Sequence, residues 1–139
     1  MRTRFSLVFL LLLGGCSNCD KTEAYAPQTI EGRSLHASVT QGSGTFGDIE
    51  IGYTFDTVLA KDKTFKTTSA ANKVESQGQY TYQRVDDNAA ILKLTDSSDL
   101  HKGETIEVSL NFTSSKLGTY SVQVLSGLPG EQHGTFELR

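Results

Sequence analysis

The sequence predicts an all-β protein, an antiparallel up-and-down barrel of about eight strands, and three observations carry that prediction. Short segments in which apolar and polar residues alternate strictly recur at nearly regular spacing through residues 31–139. Clusters of Gly, Pro, Asn, Asp and Ser separate them, which is the chemistry of tight turns. No stretch keeps a helical period over three turns, and Ser69 to Glu75 has room for one turn at most. A β-sandwich is the alternative. Closure is preferred because an open meander of this length would leave two long unpaired strand edges.

The elements follow in order. Leu35, Ala37 and Val39 alternate with His36, Ser38 and Thr40, and Ile49, Ile51, Tyr53 and Phe55 alternate with Glu50, Gly52, Thr54 and Asp56. Each set reads as a strand with one buried face, because successive side chains of a strand point to opposite sides. Phe65, between Lys63-Thr64 and Lys66-Thr67, suggests a shorter edge strand. Tyr80 and Tyr82, then Ala90, Leu92 and Leu94, then Ile106, Val108, Leu110 and Phe112 repeat the pattern, as do Tyr120, Val122 and Val124 and finally Phe136 and Leu138. Turns are expected at Asp86-Asp87-Asn88, Ser97 to Gly103, Ser114 to Gly118 and Leu128 to Glu131. Most inward positions read as large and apolar, with no charged residue among them, so the interior is expected to be packed for stability or lined for something small and greasy.

The start of the chain has a different character. Arg2 and Arg4 precede an apolar run of nine residues, Phe5 to Leu13, which is then followed by Gly14 and Gly15. A bilayer span needs about 20 apolar residues, so the run suits a signal peptide rather than a permanent anchor. Leu13-Gly14-Gly15-Cys16 resembles the lipobox of bacterial lipoproteins. The resemblance implies cleavage between Gly15 and Cys16, a diacylglyceryl thioether on the Cys16 sulfur and an acyl chain such as palmitate on the new amino terminus. It also implies a cell-envelope location, and Ser17 in place of Asp favours the outer membrane, facing the periplasm or the cell surface. The expected organisation is a signal peptide over 1–15, a lipidated flexible tether over 16–30 and a β-barrel domain over 31–139. As coil, such a tether spans roughly 20 Å.

Cleavage alters charge and cysteine chemistry together. The whole chain of 139 residues carries a formal charge of −3, and loss of Arg2 and Arg4 leaves the mature chain more acidic. An acidic domain of this size argues against nucleic acid as a partner and makes one domain with a modest core. A thioether at Cys16 leaves Cys19 as the sole thiol, so no intramolecular disulfide is expected.

A second resemblance lies in the later strands. Gly78-Gln-Tyr-Thr-Tyr82, the turn and apolar strand running to Thr95, Leu110 to Tyr120 with its Phe112-Thr-Ser turn, and Gly134-Thr-Phe-Glu-Leu138 are similar to the calycin-like small barrels of bacteria. The similarity covers about the second half of the mature chain. It implies a lipocalin-like up-and-down barrel whose relatives bind small hydrophobic molecules or inhibit enzymes. The chain has no Trp and so lacks the Gly-x-Trp signature of lipocalins themselves.

Residues with chemical potential are few. His36, His101 and His133 stand far apart and share no metal-ligand spacing, with His36 on a polar strand face and His133 in a turn region. Asp96-Ser-Ser-Asp-Leu-His-Lys-Gly-Glu104 gathers three carboxylates and an imidazole, but its spacing fits no calcium loop, and a solvated hairpin is the simpler reading. Gly42 to Gly47 is glycine-rich but precedes no helix, so it builds no phosphate cradle. No Gly-x-Ser-x-Gly elbow is present, and no acid, base and nucleophile set can be assembled; no catalytic residue, metal or cofactor is expected, and the chain reads as a non-enzyme. Tyr53, Tyr80, Tyr82 and Tyr120 share the inward parity and would be the polar handles of a ligand pocket. Two functions follow as expectations. One is a membrane-anchored barrel binding a small hydrophobic ligand near these tyrosines. The other is an interaction lipoprotein that contacts or inhibits an envelope protein through the loops Ser97 to Gly103 and Gln41 to Gly47.

Overall fold

The structure is a computed structural model that describes residues 23–139 apart from Asn72 and Leu100. The signal peptide, Cys16 and the expected tether as far as residue 22 lie outside the described residues. Eight strands follow one another: β1 (Arg33–Gly44), β2 (Thr54–Leu59), β3 (Thr64–Ser69), β4 (Val74–Arg84), β5 (Ala89–Asp96), β6 (Thr105–Phe112), β7 (Leu117–Ser126) and β8 (Gly130–Leu138). Each pairs antiparallel with the next, and β8 pairs back onto β1, so the sheet is a closed up-and-down barrel rather than a sandwich. Closure leaves β3 paired on both sides, so the strand around Phe65 is not an edge.

Register aligns the inward residues into rings. Leu35 faces Thr57 on one side and Leu138 on the other, Tyr80 faces Leu94, Leu94 faces Ile106, and Val122 faces Gln132. One end of the barrel carries the turns β2–β3, β4–β5 and β6–β7, and there the bulky side chains meet: Leu59, Phe65, Tyr80, Phe112 and Leu138 are buried in one cluster. Phe112 and Phe136 pack edge to face with ring centres 5.0 Å apart, a favoured aromatic geometry. Two inward glycines make room for rings. A Cβ on Gly134 would lie 2.5 Å from Tyr120 Cε1, and one on Gly118 would lie 2.7 Å from Phe136 Cζ.

The segment before β1 closes this end. Ala26 and Ile30 are buried, Ile30 at 1% exposure, and Tyr25 packs against the same cluster. The Ala26 amide donates to the Asp87 carbonyl at 2.8 Å, and the Tyr82 hydroxyl donates to the Pro27 carbonyl at 2.7 Å. The packed domain therefore begins by Tyr25, ahead of the boundary expected at residue 31. The reason is that Tyr25, Ala26 and Ile30 satisfy no strand or helix period, yet cover apolar surface that the turns leave bare.

The other end is built differently. Its loops are Thr45–Tyr53, the turn between β3 and β4, Ser97–Glu104 and Gly127–Pro129. The alternation from Ile49 to Phe55 extends into a strand only from Thr54 onward; Glu50 to Tyr53 curl back through a turn in which the Tyr53 amide donates to the Glu50 carbonyl at 3.1 Å and Gly52 takes φ +87°. Ile51 is accordingly 79% exposed.

Candidate functional site

Inward side chains in the half of the barrel nearer these loops are short, namely Ala37, Thr57, Thr67, Ser76, Val122 and Val124, and they do not meet across the axis. They leave a cavity of about 470 Å³ that opens between the loops. Leu92, Leu94, Val108 and Leu110 form its wall on one side and Leu35, Phe55 and Phe136 on the other. Phe46, Ile49 and Leu128 stand at the rim. At about 30 Å³ for each water, the space is that of about fifteen waters, within the usual range for a site that takes one small molecule.

Polar side chains are set into this surface, and Tyr120, Gln132 and Asp96 are the buried ones among them. Gln132, only 5% exposed, accepts a hydrogen bond from the Tyr120 hydroxyl at 3.0 Å. Burial pushes the Tyr120 hydroxyl up to about 12, so it stays a neutral donor. The Gln132 Nε2 group meets no acceptor among the described residues, and it is not sealed away from the cavity it lines. Across the barrel, Asp96 is 8% exposed and accepts from the Ser76 hydroxyl at 2.5 Å and the Ser98 amide at 2.6 Å. Burial raises the Asp96 carboxyl, but these hydrogen bonds and nearby His101 outweigh it, and the group lies below the ordinary aspartate value. It is therefore an anion set into an apolar wall. Glu75 and Glu104 join it near the mouth, and His101 Nδ1 lies 3.1 Å from Glu104 Oε2.

Compared with known proteins, the chain matches no protein family, no curated protein and no solved structure.

The four tyrosines expected to act together are dispersed. Tyr120 lines the cavity. Tyr80 and Tyr82 point into the closed end, where their hydroxyls donate to the carbonyls of Ala60 at 2.8 Å and Pro27 at 2.7 Å. Tyr53 ends the rim loop and packs edge to face on Phe55 with ring centres 5.0 Å apart. Inward parity alone selected them, whereas height along the barrel depends on register. Gly15 and Cys16 lie outside the described residues.

Asp96 corrects the expectation that no charge interrupts the inward set, and Gln132 adds a buried polar group to it. Both were marked by position: Asp96 continues the period-two series Ala90, Leu92, Leu94, and Gln132 precedes Gly134 and Phe136 at the same spacing. Among the described residues no group of three His, Cys, Asp or Glu side chains is arranged to hold a metal. The carboxylates of residues 96–104 diverge instead, Asp96 turning inward while Asp99 is exposed. His36 lies on the outer face with Nδ1 2.8 Å from Asp56 Oδ1, and His133 is exposed on β8 rather than in a turn.

Proposed function

We propose that this chain is a lipid-anchored envelope protein whose barrel binds one small hydrophobic molecule in the cavity beneath its open-end loops. The cavity carries the reading. An eight-stranded barrel either fills its interior with side chains or keeps room for one small ligand, and here the closed half is filled while the open half is not. Apolar walls supply the driving force, at about 0.8 kcal/mol for each methylene removed from water, and Tyr120 and Gln132 supply orientation. The anchor is supported by Arg2, Arg4, the apolar run to Leu13 and Gly14-Gly15-Cys16.

The binding half is tested with a neutral dye, N-phenyl-1-naphthylamine, titrated into the mature protein and followed by fluorescence. Saturable binding with one site is expected, and Val122→Phe, which puts bulk into the cavity, should abolish it with the circular dichroism spectrum unchanged. Absence of saturable binding by the wild-type chain refutes the reading. The anchor half is tested by mass spectrometry of the mature amino terminus. An unmodified Cys16 refutes it.

A further inference from the structure

The charges around the cavity are one-sided. Among the described residues that line it, Glu75, Asp96 and Glu104 are acidic and none is Lys or Arg. Asp96 is the most enclosed of the three: it is nearly buried, and it holds hydrogen bonds from Ser76 and Ser98 that keep it in place without neutralising its charge. The loops around the mouth add Asp48, Glu50 and Asp99 against Lys73 and Lys102, and these two lysines are exposed and outside the lining. A cleft lined by one sign of charge with low-dielectric walls focuses its field on whatever enters.

We propose that the ligand class of this cavity is an apolar cation, a hydrocarbon chain or ring system that fills the interior and ends in an ammonium-type group beside Asp96 and Glu75 at the mouth. The inference rests on the binding reading given above. It separates this barrel from a carrier of fatty acids or other amphipathic anions. An anionic head group would be desolvated against three carboxylates with no Lys or Arg in the lining to receive it and with the one imidazole, His101, already beside Glu104, so most of the discrimination comes from repulsion of the wrong ligand. A neutral ligand of the same shape gains the apolar burial alone.

The test is displacement of N-phenyl-1-naphthylamine at neutral pH by three probes of equal chain length, n-decylammonium, n-decanol and n-decanoate. The expected order is ammonium, then alcohol, then carboxylate. A partly screened charge pair is worth about tenfold at each step, and each added methylene tightens all three by about fourfold. Glu75→Gln with Glu104→Gln should shrink the ammonium-to-carboxylate ratio at least about threefold and leave decanol unchanged. Asp96→Asn should shrink it further. If Asp96→Asn fails to fold, the Glu75 and Glu104 pair decides between the outcomes. Raising salt should compress the ratio without moving decanol. Decanoate binding as tightly as decylammonium, or a ratio untouched by the Glu75 and Glu104 changes, overturns the cation assignment while decanol binding leaves the cavity reading standing. Failure of dye and all three probes to bind overturns both.

Discussion

Ile30 offers the sharpest measurement of where the folded domain begins. Its side chain is 1% exposed and packs in the closed-end cluster with Leu59, Tyr80 and Leu138. Ile30→Ala removes the equivalent of three carbons, about 2.4 kcal/mol by transfer at about 0.8 kcal/mol each, and the space left behind adds to that because the turns around it cannot all move inward. A loss of about 3 kcal/mol is expected. With a urea dependence of about 1.5 kcal/mol per molar, the unfolding midpoint should fall by about 2 M. The assay is urea denaturation of the mature chain followed by far-ultraviolet circular dichroism and tyrosine fluorescence, whose transitions should coincide. A change below about 0.5 kcal/mol would show that residues 25–30 belong to the tether after all, and the plug at the closed end would be refuted.

Other outcomes follow from the same contacts. Tyr82→Phe leaves the Pro27 carbonyl without its donor and should cost about 1 kcal/mol, measured by the same denaturation. Tyr120 holds its proton up to about 12 in the folded chain against 10.0 ordinarily, so stability should be intact below pH 10 and fall as pH rises toward 12; Tyr120→Phe should flatten that decline, and an unchanged alkaline limb would contradict its burial. Asp96 behaves in the opposite sense. Its depressed folded value contributes stability above the unfolded aspartate value of about 3.9, lost as pH falls through the lower folded one, and Asp96→Asn should remove this acid dependence in thermal melts between pH 5 and pH 2. Gly134→Ala drives a methyl group into the Tyr120 ring and should destabilise by about 1–3 kcal/mol, with a shifted tyrosine fluorescence.

Much of the fold was legible because a half-buried strand writes its geometry in a period of two. Leu35 to Val39, Ala90 to Leu94 and Ile106 to Phe112 each expose one face to the interior, and the residues name that face directly. The period misled where a turn imitates it: Ile49 and Ile51 alternate with Glu50 and Gly52, but positive φ at Gly52 curls the segment and leaves Ile51 in solvent. The closing plug was illegible for the converse reason, since Ala26 and Ile30 pack as irregular chain and no period announces them. The cavity was legible only in kind. Which inward positions face the loops and which face the plug depends on strand direction and register, so Tyr80 and Tyr120 look alike in sequence and serve opposite ends.

The plug also sets a polarity. The chain enters the barrel at the closed end, through Ala26 on Asp87 and Pro27 on Tyr82, and the mouth is at the far end. Glu23 lies seven residues from Cys16, a reach of at most about 25 Å however those residues run. A chain fastened to a bilayer through Cys16 would therefore stand with its sealed base toward the lipid and its opening toward water. Any ligand of the cavity would then be exchanged with the aqueous compartment instead of being drawn sideways out of the leaflet, and a pull on such an anchor would be felt first at the base rather than at the cavity.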